Sequence, residues 1–124
     1  MVTRIDEGFV FTCGNDVVTF KLHGSNDCCE IMTRDMYLNE QTVSEIVTTW
    51  SRVEKAELPQ YVQDLEDLNN DQWDDKRCEL VAIKLIFDNG ADAYLVVANK
   101  HNGYYAHEAT IESTSGGVLF QTFL

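Results

Sequence analysis

The apolar positions of the chain follow two different periods. From Gly8 to Cys13 the residues alternate, with Phe9, Phe11 and Cys13 on one side, the pattern of a half-buried strand. Gly14-Asn15-Asp16 reads as a turn, and Val17 to His23 alternates again. Val18, Phe20 and Leu22 face one way and Thr19, Lys21 and His23 the other, which predicts a hairpin with His23 pointing away from the core. Beyond Gly24-Ser25-Asn26, a loop by composition, Cys28 to Met32 suits a third short strand. The period then changes. Val43, Ile46, Val47, Trp50 and Val53 fall at helical spacing, with Asn39 placed as the N-cap and Leu38 and Val43 as a hydrophobic staple across it. This spacing predicts a helix from about Glu40 to Lys55.

In the second half, Val81, Ile83, Leu85 and Phe87 share a face of a strand at Leu80 to Phe87. Asp88-Asn89-Gly90 is a hairpin turn, because Asn-Gly supplies the positive φ angles that tight turns require, and Ala93 to Ala98 is the return strand. Tyr104 to Ile111 and, after Gly116-Gly117, Val118 to Leu124 are further strands. The expected fold class is α+β: an antiparallel sheet of about five or six strands built on the hairpins at 8–23 and 80–98, with one main helix packed on a face through Val43, Ile46, Val47 and Trp50. A Val-, Leu- and Phe-rich strand such as Val118–Leu124 makes a poor free edge, so self-association into a homo-oligomer is expected there or at a hairpin edge.

Charge separates the middle of the chain from the rest. At 124 residues the whole of 1–124 is expected to form a single domain around its own core. Residues 56–79 form an acidic connection, expected to be partly mobile, that contains Glu66, Asp67, Asp71, Asp74 and Asp75 and the single proline, Pro59. The chain carries 9 Lys+Arg against 21 Asp+Glu, a formal charge of −12. Such a balance excludes functions that rest on neutralising phosphates, so no direct nucleic-acid partner is expected, and it draws in partners with a basic groove.

The start of the chain, Met1 to Glu7, has no apolar run of the signal-peptide kind, and no window approaches the length of a membrane span. A cytoplasmic protein without membrane contact is expected. Cys13, Cys28, Cys29 and Cys78 are then reduced thiols. Adjacent Cys28 and Cys29 point to opposite faces of any strand, which disfavours a disulfide framework.

Lys21-Leu22-His23 leading into Asp27-Cys28-Cys29-Glu30, with Ala82-Ile83-Lys84 and Asn102-Gly103-Tyr104-Tyr105 further on, resembles an uncharacterised family of small phage and bacterial proteins, a domain of unknown function. In that family a hairpin runs into a His-containing turn and Asp-Cys-Cys-Glu, followed by a variable acidic middle, a second hairpin and an Asn-Gly-Tyr-Tyr strand. The resemblance spans roughly residues 8 to 112. It implies a phage or bacterial setting, with the bacterial cytoplasm as the location, and no established activity.

Candidate chemistry gathers in two runs, His23 to Glu30 and His101 to Tyr105. His23, Cys28, Cys29, Glu30 and Cys13 are metal-ligand types, but no C-x₂-C pair is present, so neither metal nor cofactor is expected. A Cys nucleophile beside Asp27 and Glu30 would have its thiol pKa raised rather than lowered, so no enzyme is expected either. The remaining readings concern binding. Trp73, set among Asp71, Asp74 and Asp75 and close to Glu66 and Asp67, has the make-up of an aromatic anchor ringed by carboxylates. Together with the phage or bacterial setting that the resemblance implies, it points to a phage- or prophage-encoded inhibitor or modulator that contacts a basic host or phage protein, a nucleic-acid mimic of the anti-defence type. The alternative is a protein that sequesters a small ligand such as a signalling nucleotide, through His23, Asp27, Glu30, His101, Asn102, Tyr104 and Tyr105. The scarcity of bases and the lack of a Gly-rich phosphate loop stand against it.

Overall fold

In a computed structural model of the chain, residues 1–25, 30–39, 41–68, 77–101 and 106–124 are described. Among them run nine strands: β1 (Val2–Ile5), β2 (Gly8–Cys13), β3 (Asp16–Leu22), β4 (Ile31–Leu38), β5 (Val47–Val53), β6 (Arg77–Phe87), β7 (Asp92–His101), β8 (Glu108–Ser113) and β9 (Gly117–Phe123). They form one sheet in the order β4-β7-β6-β5-β2-β3-β8-β9, with β1 paired to β2. Every pairing is antiparallel except β2 with β5, which touch through the single parallel bridge Cys13↔Val47. That bridge is a corner. The sheet turns there so that the inner faces of β2-β3-β8 and of β5-β6-β7 enclose one core, containing Phe9, Phe11, Phe20, Ile83, Leu85 and Leu95.

The expected helix at 40–55 does not form, and the fold is all-β rather than α+β. Residues 41–46 are irregular and 47–53 are strand β5. The helical spacing has a specific origin. A bulge between Val47 and Thr49 inserts an extra residue, so Val47 and Trp50 lie opposite Phe87 and Leu85, which share the inner face of β6. A spacing of three thus places two apolar side chains on one face of a bulged strand as well as on one face of a helix. Val53, opposite Ala82, lies on the other face and joins a second apolar cluster. The β-branched run Val47-Thr48-Thr49 favours the extended form. Asn39 caps no helix. Its Oδ1 accepts from the Gln41 N–H at 3.0 Å in a local turn, and Leu38 is exposed.

Both expected hairpins are present and the second is longer than its pattern, running from Arg77 to His101. Its turn holds Gly90 at φ +84, the left-handed conformation for which the Asn-Gly pair is suited. Strand β7, paired on both sides, is buried on both faces, and this explains the uninterrupted apolar run Ala93 to Ala98. The inner face belongs to the main core. The outer face, with Ala82, Tyr94, Val96 and Ala98, is covered by short helical turns at Lys55–Glu57, Gln60–Gln63 and Glu66–Leu68, which bury Leu58, Val62 and Leu68. The first part of the acidic connection therefore does the covering that the sequence assigned to a helix.

Candidate functional site

Side chains from both halves of the chain meet at one end of the sheet. The turn after β1 supplies Glu7, the end of β3 supplies His23 and Gly24, and Glu30 and Arg34 lie just before and within β4. The approach to β8 supplies His107, and β8 itself Thr110. His107 Nε2 lies 2.9 Å from both Glu30 carboxylate oxygens, and the Glu30 side chain is fully buried. His23 Nε2 is hydrogen-bonded to Thr110 Oγ1 at 3.0 Å, and its Nδ1 lies 3.8 Å from Glu7 Oε2. The Gly24 N–H donates to the same Glu7 oxygen at 2.9 Å. Arg34 closes the group by donating to the carbonyls of Leu22 and Gly24.

The electrostatics follow from these contacts. The Gly24 N–H, assisted by His23, Lys21 and Arg34, holds the Glu7 carboxyl below the usual range. Burial lowers the Arg34 guanidinium from its ordinary value, and the nearby Glu7 and Glu30 carboxylates oppose that shift. Gly24 has φ +101, and a Cβ there would stand 2.4 Å from His107 Nδ1, so the position needs glycine both for its backbone and for the ring packed on it. Taken together, the contacts brace the chain on either side of 26–29 and just after 102–105.

Of the residues expected to bind a ligand, His23 is half-exposed and already engaged by Thr110 and Glu7. Glu30 is committed to His107, and His101 is buried at the end of β7. Asp27, Asn102, Tyr104 and Tyr105 lie outside the described residues, as do Cys28 and Cys29. No group of three His, Cys, Asp or Glu side chains suited to a metal ion occurs among the described residues. Neither Cys13 nor Cys78 is in a disulfide, and burial pushes the Cys78 thiol up. Glu7, Arg34 and Thr110 were missed in the sequence because each acts across strands. The available hint was Arg34, a lone base inside an otherwise strand-like stretch of a base-poor chain.

Of the residues expected to contact a partner, Asp67 is exposed, while Asp71, Trp73, Asp74, Asp75 and the Glu66 side chain lie outside the described residues. Asp67 stands where two open grooves meet along β4. One, of about 570 Å³, is lined by Arg4, Asp6, Met32, Arg34 and Asp35; the other, of about 410 Å³, by Thr33, Tyr37, Leu65 and Leu68. Arg4 donates to the Arg34 carbonyl at 2.6 Å and to Asp35 at 3.2 Å, so the bases of the larger groove are bound within the molecule. The segment 69–76 is bracketed by Leu68, buried in the outer cluster, and by the start of β6 opposite His101.

Among the described residues no helix is long and apolar enough to cross a membrane. No protein-family model matches the chain, and neither the curated proteins nor the solved structures contain a match.

Proposed function

We propose that this chain is a non-enzymatic acidic binding protein that inhibits or modulates another protein by direct contact. The observation that carries the reading is its charge of −12, with exposed Asp67 on the rim of two grooves at the head of a run containing Asp71, Trp73, Asp74 and Asp75. Carboxylates arranged in this way steer a basic surface into encounter, and an aromatic side chain among them provides the buried contact. The phage or bacterial setting implied by the family resemblance makes a bacterial host protein in the cytoplasm the natural target, one whose basic surface ordinarily holds nucleic acid. Sequestration of a signalling nucleotide has less support, because Arg4, Arg34, His23 and Glu30 are engaged within the molecule.

The test is capture from a bacterial lysate, repeated with a variant in which Glu66, Asp67, Asp71, Asp74 and Asp75 are replaced by Gln or Asn. The intact chain should retain a basic protein at low salt, release it at high salt and compete with nucleic acid for it. Equal capture by the neutralised variant would refute the reading.

A further inference from the structure

The two ends of the strand order, β4 and β9, are finished differently. On β4 the edge is covered by side chains: Arg4 donates to the Arg34 carbonyl, and the Tyr61 hydroxyl to the Leu38 carbonyl at 2.8 Å. On β9 nothing comparable occurs among the described residues. His107 and Leu124 exchange both of their backbone hydrogen bonds at 2.8 Å, so the alternation of an antiparallel ladder turns Thr122 and Phe120 toward β8. The N–H and C=O groups of Gln121 and Phe123 therefore face outward along the free edge. Val118, Leu119 and Phe123 are 57%, 49% and 62% exposed.

Edge strands are ordinarily protected by lysine, proline or inward-pointing charge. The stretch 113–124 contains none of these and no charged residue at all, in a chain with 21 carboxylates. We infer that β9 is the seam of a two-fold dimer, in which the strands of two copies pair antiparallel about Gln121 and continue the sheet from one molecule into the other.

Charge and symmetry both favour a second copy as the occupant. Two molecules of −12 repel over most of their surfaces, and approach costs least along an uncharged strip. A basic partner steered by carboxylates finds none on β9. The strip is also complementary to itself. With Gln121 on the two-fold axis, Phe123 of one copy comes up to the β9 bulge of the other at Leu119, an aromatic and an aliphatic side chain that are both exposed in the single chain.

The experiment is sedimentation equilibrium over a range of protein concentrations at low and high salt, on the intact chain and two variants. Gln121→Pro removes an outward N–H without taking a hydrogen bond from the β8 ladder. Phe123→Lys puts a charge into the seam, while Glu108 opposite it on β8 lets the single chain tolerate the lysine. The intact chain is expected at twice its 14.1 kDa, with dimerisation strengthened by salt as the repulsion is screened. This is the reverse of the salt response expected for capture of a basic partner, so the two ideas fail separately. Both variants are expected as monomers with an unchanged circular dichroism spectrum; if Gln121→Pro does not fold, Phe123→Lys decides. An intact chain that stays at 14.1 kDa throughout, a dimer indifferent to the substitutions, or a monomer that instead takes up an uncharged extended peptide would overturn the inference.

Discussion

His107 and Glu30 join the approach to β8 to the start of β4. The Glu30 side chain is fully buried, and removing a hydrogen-bond partner from a buried group costs about 1–3 kcal/mol. His107→Ala should therefore lower the unfolding free energy by about 1–3 kcal/mol in urea titration, whereas His107→Gln, which keeps a donor, should cost clearly less. A loss within about 0.5 kcal/mol for the alanine variant would show that the pair is not structural. A second residue-scale prediction concerns Tyr37, whose ring meets Tyr61 edge-on at 6.5 Å between centroids. Burial, with Asp35 and Asp67 nearby, pushes its phenol up to about 12. The unfolded chain releases this proton near the ordinary value of about 10, so stability should be intact below that pH and fall as pH rises toward 12. Tyr37→Phe should remove that part of the alkaline loss, followed by thermal melts across the same range.

At the scale of elements, the outer cluster gives the clearest test. Leu68 is fully buried beneath the acidic connection, and truncating such a side chain costs about 2–5 kcal/mol, so Leu68→Ala should destabilise the fold within that range. Leu65→Ala, at an exposed neighbouring position, should cost little; equal effects would mean that the helical turns do not seal the outer face. These turns also mark the limit of what pattern could reveal. The hairpins at 8–23 and 80–98 were legible because alternation in Phe9, Phe11, Val18, Phe20 and Leu22 and the turn chemistry of Asn89-Gly90 are local signals. Strand β5 was not, because a bulge gave Val47 and Trp50 a helical spacing, and only their partners Phe87 and Leu85 across the ladder resolve the ambiguity. The site was legible in the same partial way. His23 and Glu30 stood out by type, but the contacts that hold them come from Thr110 and His107, 87 and 77 residues away in the chain.

Across the whole molecule, the charge of −12 and the uncharged β9 edge are expected to respond to salt in opposite ways. Carboxylates act over a Debye length of about 8 Å at physiological ionic strength, so they govern how fast a basic partner arrives rather than how long it stays. An aromatic anchor acts only on contact and governs departure. With a partner in hand, replacing Glu66, Asp67, Asp71, Asp74 and Asp75 by Gln or Asn should slow association strongly at low salt and barely at high salt, leaving dissociation nearly unchanged. Trp73→Ala should do the converse, raising the dissociation rate by the equivalent of about 2 kcal/mol, the threshold of an interface hot spot, with little change in the salt dependence of association. Stopped-flow mixing at several ionic strengths separates the two effects. If both variants associate and dissociate like the intact chain, the acidic run plays no part in recognition and its charge serves only to keep the molecule dispersed.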